Sequence, residues 1–214
     1  MFPLPNVVLF PKTPVPLYIF EERYRTLVRE TLEGNRELVI ALLRTGPEVK
    51  HADFTSVHEI ACLGKIETYE ELEDGKYNIV VIGVQRVRII REVQHSPYLL
   101  VEAETIEEAS YDENSAAVVK RHNQLSALFA KFAELATGVK QQTLDFMPQL
   151  DFESLVNMVA MTLNLAIEQK QALLEINAAP SRCDELIPVL QQQIETLILV
   201  RNFEHIKPEN PSLN

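Results

Sequence analysis

Lys76-Tyr77-Asn78-Ile79-Val80-Val81-Ile82-Gly83-Val84-Gln85-Arg86-Val87-Arg88-Ile89-Ile90-Arg91-Glu92-Val93 carries the clearest alternation in the chain. Tyr77, Ile79 and Val81 fall at every second position, and Val87 and Ile89 resume the pattern with Arg86, Arg88 and Arg91 between them. A period of two marks a strand with one buried face, and β-branched residues suit a pleated surface. Gly83 interrupts the run, so it reads as a strand pair whose glycine marks a bulge or a barrel corner. Just before it, Glu73-Asp74-Gly75 has the composition of a hairpin tip. The acids Glu67, Glu70, Glu71, Glu73 and Asp74 therefore read as a solvated tip rather than as the paired carboxylates of a glycosidase.

The same punctuation extends through the first half of the chain, where Gly46-Pro47 and Ser96-Pro97 also separate short apolar runs. Five of the twelve prolines lie in the first sixteen residues, at positions 3, 5, 11, 14 and 16. Their fixed φ and missing donors suit an extended edge segment that wraps a barrel. One helix interrupts the strands, because Phe20, Tyr24, Leu27, Val28 and Leu32 recur at helical spacing before the stop Gly34-Asn35. After Glu107-Glu108 the period lengthens. Helices are expected over Ala116 to Ala136, from Asp151 to about Leu165, over Ile167 to Ile176, and from Ala179 to Phe203 with a kink at Pro188. The expected organisation is α+β: a β-barrel domain over 1–109, a helical bundle over 110–206 and a frayed tail over 207–214.

Charge and chemistry narrow the function. Thirty-one acids against twenty bases leave a formal charge of -11, and the excess is spread over both halves, so a nucleic acid is not an expected partner. Mean hydropathy is -0.04 and no apolar run is long enough to span a bilayer, so no membrane association is expected. The N-terminus lacks the basic region of a signal peptide, and Cys62 and Cys183 form no disulfide framework; both features fit a reducing, cytoplasmic setting. Neither Gly64-Lys65 nor Gly75-Lys76 has the upstream glycine and following hydroxyl of a P-loop. His51 and His58, with Asp53 and Glu59 beside them, are too few for a zinc site. Cys62 lies among Ile60, Ala61 and Leu63 and reads as a buried small hydrophobe. No cofactor, metal or catalytic residue is expected.

Several stretches resemble one family. Phe2-Pro3-Leu4, Val8-Leu9-Phe10-Pro11, Pro16-Leu17 and Ile19-Phe20-Glu21-Glu22-Arg23-Tyr24 match, in order and spacing, the opening of the Lon N-terminal, substrate-binding domain. Leu63-Gly64-Lys65-Ile66, Asp74-Gly75-Lys76-Tyr77, Ile82 to Ile89 and Pro97-Tyr98 are similar to its later strands, and Lys170 to Glu175 with Arg182 to a weaker pattern in its helical half. The resemblance implies a PUA-like barrel followed by a helical bundle. Full-length Lon would continue into a P-loop ATPase and a Ser-Lys peptidase, so a chain ending at Asn214 is expected to act as a stand-alone, non-catalytic module that binds polypeptide segments or partner proteins. The expected place is a groove between barrel and bundle or an exposed strand edge.

Candidate partner-facing residues are Tyr18, Glu21, Arg23, Tyr24 and Arg86. A plainer reading puts Phe20 and Tyr24 in the core, with Glu21 and Arg23 tying helix to strands. An alternative function is RNA binding, since PUA-like barrels carry it elsewhere; it requires a basic face from Lys65, Arg86, Arg88 and Arg91. An unrecognised hydrolase is the remaining alternative, and oligomeric state is not legible.

Overall fold

A computed structural model describes residues 1–44, 56–138 and 149–204. Its elements run β1 (Phe2–Leu4), β2 (Pro14–Ile19), α1 (Glu22–Glu33), β3 (Glu37–Leu42), β4 (Ile60–Glu71), β5 (Tyr77–Gln94), β6 (Leu100–Thr105), α2 (Ala116–Thr137), α3 (Phe152–Thr162), α4 (Ile167–Glu175) and α5 (Ala179–Glu204). Gly46-Pro47, the His51 and Asp53 positions and the tail from Lys207 lie outside the described residues. By contacts the chain divides into two units, Met1–Ser110 with Ala160–Ala178, and Tyr111–Val159 with the chain from Ala179.

The stretch read as a strand pair is one continuous strand, β5, of 18 residues. Gly83 does not break it. A Cβ at that position would lie 2.1 Å from the carbonyl oxygen of Phe10, so glycine is there to admit another part of the backbone. The bulge expected near it is present: Leu63 of β4 pairs with Gln85, but Gly64 pairs with Gly83, leaving Val84 as the extra residue. One extra residue reverses which parity faces which side of a sheet. Tyr77, Ile79 and Val81 therefore join one buried cluster, whereas Val87 and Ile89, also odd-numbered, join another. Arg86, opposite Cys62 in the register, is turned to the side of the sheet that carries Cys62.

The six strands form a mixed sheet of order β1-β3-β4-β5-β2, with β6 also paired to β5. Phe2 from one end of that order and Val15 and Ile19 from the other share a single buried cluster with Tyr24, Leu27 and Val28 of α1. Side chains from both edges can meet only if the sheet curls around them, which gives the barrel-like first half. The proline-rich start supplies both edges, β1 pairing parallel with β3 and β2 antiparallel with β5. The β4–β5 hairpin turns at Gly75, whose φ of 72° favours glycine. Arg25 of α1 donates to the carbonyl of Gly75 at 2.7 Å, fixing helix to hairpin.

Helix α4 belongs with the sheet rather than with the second half, where sequence alone places it. Arg86 explains this. It is 3% exposed and donates to the carbonyls of Leu174 at 3.2 Å and Ile176 at 3.0 Å, and to the Oδ1 of Asn177. These acceptors include the unsatisfied end of α4, where a cation is also favoured by the helix dipole. Glu108 Oε2 lies 3.2 Å from the same guanidinium. Gln171, 1% exposed, donates to the carbonyl of Ile60 at 2.9 Å, and Ala109 donates to that of Asn177. The periodicity of α4 shows a helix, but its partners lie far away in sequence.

In the second unit, Ser115 caps α2 by accepting from the N–H of Val118, and Gly138 ends it in the left-handed conformation. Arg121 forms a two-pronged pair with Asp184, at 2.8 and 2.9 Å. Near the other end of both helices, Arg201 donates to the carbonyl of Leu135 at 2.7 Å. The two contacts join start to start and end to end, so α2 and α5 run parallel. Asp151 receives the N–H of Ser154 at 2.8 Å at the start of α3, as its position suggests.

Candidate functional site

The strand β2 alternates buried and exposed side chains, with Val15 and Ile19 inward and Pro14, Pro16 and Tyr18 outward. Phe20 continues the outward set. It is 58% exposed and Tyr18 is 52% exposed, and their rings stack with centroids 5.9 Å apart. This corrects the expectation that Phe20 is a core residue of the helix. The chain is still extended at Phe20, so a residue following the inward Ile19 must point out. A period-two reading of 15–20 would have found it, and the helical spacing to Tyr24 concealed it.

Glu21 ends that extended segment at the N-cap of α1, where its carbonyl accepts from Tyr24 and Arg25. Its carboxylate takes the Nε of Arg23 at 3.0 Å, with both side chains nearly half exposed. The Arg23 guanidinium lies 4.5 Å over the ring of Tyr24, which is itself buried and 4.3 Å from the ring of Phe2. Tyr18, Glu21 and Arg23 are thus on the surface, and Tyr24 supports Arg23 from beneath. Arg86 is not available to a partner, because its guanidinium is buried against α4.

Next to Tyr18 a shallow trough of about 480 Å³ crosses the three strands β2, β5 and β4. The register sets its outer rows: Tyr18, Asn78 and Glu70 across one line, and Pro16, Val80 and Thr68 across the next. Asn78 donates to Glu70 at 2.9 Å. Tyr69, 49% exposed, is the second aromatic ring among the lining residues, after Tyr18, with Arg36 5.9 Å from its centre. Proline, valine and aromatic rings offer an apolar surface suited to side-chain contact.

Three of the four basic residues that an RNA-binding face would need are buried or stand against acids. Arg86 is buried, Arg91 is paired with Glu102 at 2.6 Å, and Arg88 stands opposite Glu104 across the β5–β6 ladder. The thiols are equally withdrawn. Cys62 and Cys183 are free and fully buried, and burial pushes each up to about 12. Between the ordinary value of 9.0 and that raised value the unfolded chain sheds thiol protons that the folded chain retains, so stability falls as pH rises through this window. Cys62→Ala should therefore flatten the decline in unfolding free energy between pH 8 and 10 by about 1 kcal/mol. Urea titrations of both proteins at the two pH values check this.

Comparison with known proteins places this geometry. The family model of the ATP-dependent protease La (LON) substrate-binding domain matches residues 1–192. The chain is similar to Lon protease 1 of Bdellovibrio bacteriovorus, 29% identical over 206 residues, covering 95% of this chain and 26% of that protein. It is also similar to Lon protease 2 of Herpetosiphon aurantiacus, 27% identical over 208 residues, covering 96% of this chain and 25% of that protein. The chain thus spans about a quarter of the length of the curated relatives it matches. Among solved structures, the N-terminal domain of Mycobacterium avium complex Lon protease has a TM-score of 0.69 at 18% identity, covering 89% of this chain and 96% of that one. A Lon N-terminal domain protein from Xanthomonas campestris has a TM-score of 0.63 at 22% identity, covering 87% and 95%. With a family match over nearly its whole length and the same fold in solved structures, the chain belongs to the Lon substrate-binding domain family.

Proposed function

We propose that this chain binds extended polypeptide segments without acting on them, and that the outer face of β2, β5 and β4 is where it does so. The observation that carries the reading is the stacked, half-exposed pair Tyr18 and Phe20 beside an apolar trough, in a member of a substrate-binding family. Soluble domains seldom leave two large aromatic rings together in water without a use, and aromatic anchors dominate binding energies. Glu21 and Arg23 form a polar rim beside the pair. Two buried free thiols fit a reducing compartment such as the cytoplasm, and among the described residues no helix is long and apolar enough to cross a membrane.

Fluorescence anisotropy with a labelled, unstructured, aromatic-containing polypeptide tests the proposal. Replacing Tyr18 and Phe20 together by Ser is expected to weaken binding at least about thirtyfold, the loss of about 2 kcal/mol or more that two anchors carry. The circular dichroism spectrum and melting point should stay close to those of the unsubstituted chain, since both rings are exposed. Equal affinity in the double variant would remove this surface from the account.

A further inference from the structure

An extended polypeptide can be held by pairing its backbone to a sheet edge or by lodging its side chains on a surface. The strand β2 ends the sheet on the side of the trough, and the phase of its ladder shows which mode is open. Gly83 donates its N–H to the carbonyl of Thr13 at 3.0 Å, and its own carbonyl accepts from Lys12 at 2.7 Å. Backbone groups in an antiparallel ladder turn toward the neighbouring strand at every second residue. Val15, Leu17 and Ile19 therefore exchange bonds with Val81, Ile79 and Tyr77, opposite them in the register. Residues 14, 16 and 18 turn their backbone groups to the other edge, which carries no paired strand among the described residues. Two of these three are proline, which has no N–H to offer. A strand added to this edge would meet carbonyls at 14, 16 and 18 but a donor only at Tyr18, and would leave its carbonyls opposite Pro14 and Pro16 unpaired.

We infer that this surface reads a polypeptide through its side chains, with strand addition at β2 blocked by Pro14 and Pro16. The inference rests on the proposed function and deepens it. The segments accepted include those that lack backbone N–H groups of their own, such as proline-rich stretches, because no ladder has to form. A strand edge as the docking place, one of the two options the sequence leaves open, is thereby set aside for β2.

The test uses two labelled peptides with the same side chains, one of them methylated at every backbone nitrogen, and anisotropy titrations with the full chain. Both should bind with equal affinity. In the variant Pro14→Thr with Pro16→Thr, which restores two edge donors, the unmethylated peptide should bind about tenfold more tightly than it does to the unsubstituted chain, as two net hydrogen bonds imply, while the methylated peptide, whose N-methyl groups keep its backbone out of a ladder, should not gain. Circular dichroism establishes that this variant is folded. Binding of the unmethylated peptide alone to the unsubstituted chain would overturn the inference and leave the proposed function standing. No preference in the folded double variant would overturn the role assigned to the two prolines, and failure of both peptides to bind would overturn the proposed function with the inference.

Discussion

Replacing Arg86 by Ala is expected to lower the unfolding free energy by about 3–5 kcal/mol, the cost of breaking a buried charge pair on one side. The substitution strands several groups at once. Glu108 loses its cation, and the carbonyls of Leu174 and Ile176 lose the donor that satisfies them at the end of α4. Lys should rescue only part of the loss, because one ammonium cannot reach carbonyls, an amide oxygen and a carboxylate in the way a planar fork does. Glu108→Gln should cost less than Arg86→Ala, since it leaves an amide still able to accept from the guanidinium. The chain contains no Trp, so urea unfolding is best followed by far-ultraviolet circular dichroism. If Arg86 instead served a partner, as its place among the candidate binding residues supposes, Arg86→Ala would leave the urea midpoint unchanged and weaken binding.

Gly83→Ala should be destabilising by at least the about 1–3 kcal/mol usual for overpacked cores. The added methyl would sit 2.1 Å from the oxygen and 2.8 Å from the carbon of the Phe10 carbonyl. Both are main-chain atoms, held in place by the buried side chains of Leu9 and Phe10. Gly64→Ala provides the comparison. Its methyl would meet Val81 Cγ1 at 2.4 Å and Leu9 Cδ2 at 3.0 Å, which are side-chain atoms that can turn aside at lower cost. The predicted order of urea midpoints is therefore the unsubstituted chain, then Gly64→Ala, then Gly83→Ala. The reverse order of the two variants would mean that the Val8 to Pro11 segment yields more easily than its burial implies.

These two positions also show where sequence reading stops. Alternation in 76–93 is a local signal and identified a strand, and Asp74-Gly75 identified its hairpin, because both depend on neighbours in the chain. That β5 runs unbroken through Gly83 depends on Phe10, which no local pattern connects to it. Simple alternation from Val81 would turn Arg86 outward, but the extra residue at Val84 reverses the count, and its acceptors come from 108 and from 174–177. The helices were legible from their caps and spacing, with Gly34 and Gly138 at the ends of α1 and α2. The allegiance of α4 was not, since it is set by the contacts of Arg86 and Gln171. At the candidate site, Glu21 and Arg23 stand on the surface as a patch requires, Tyr24 is buried as the plainer reading held, and Phe20 was assigned to the wrong period.

Site-specific photocrosslinking tests the central claim most directly. A benzophenone side chain is placed at one position at a time, at Tyr18, at Thr68, and at the exposed Val119 and Leu199 of α2 and α5, and the chain is irradiated with a labelled unstructured polypeptide. Crosslinks from positions 18 and 68, competed away by unlabelled polypeptide, are the predicted result. Crosslinks confined to positions 119 and 199, with none from the β2–β5–β4 face, would contradict the account.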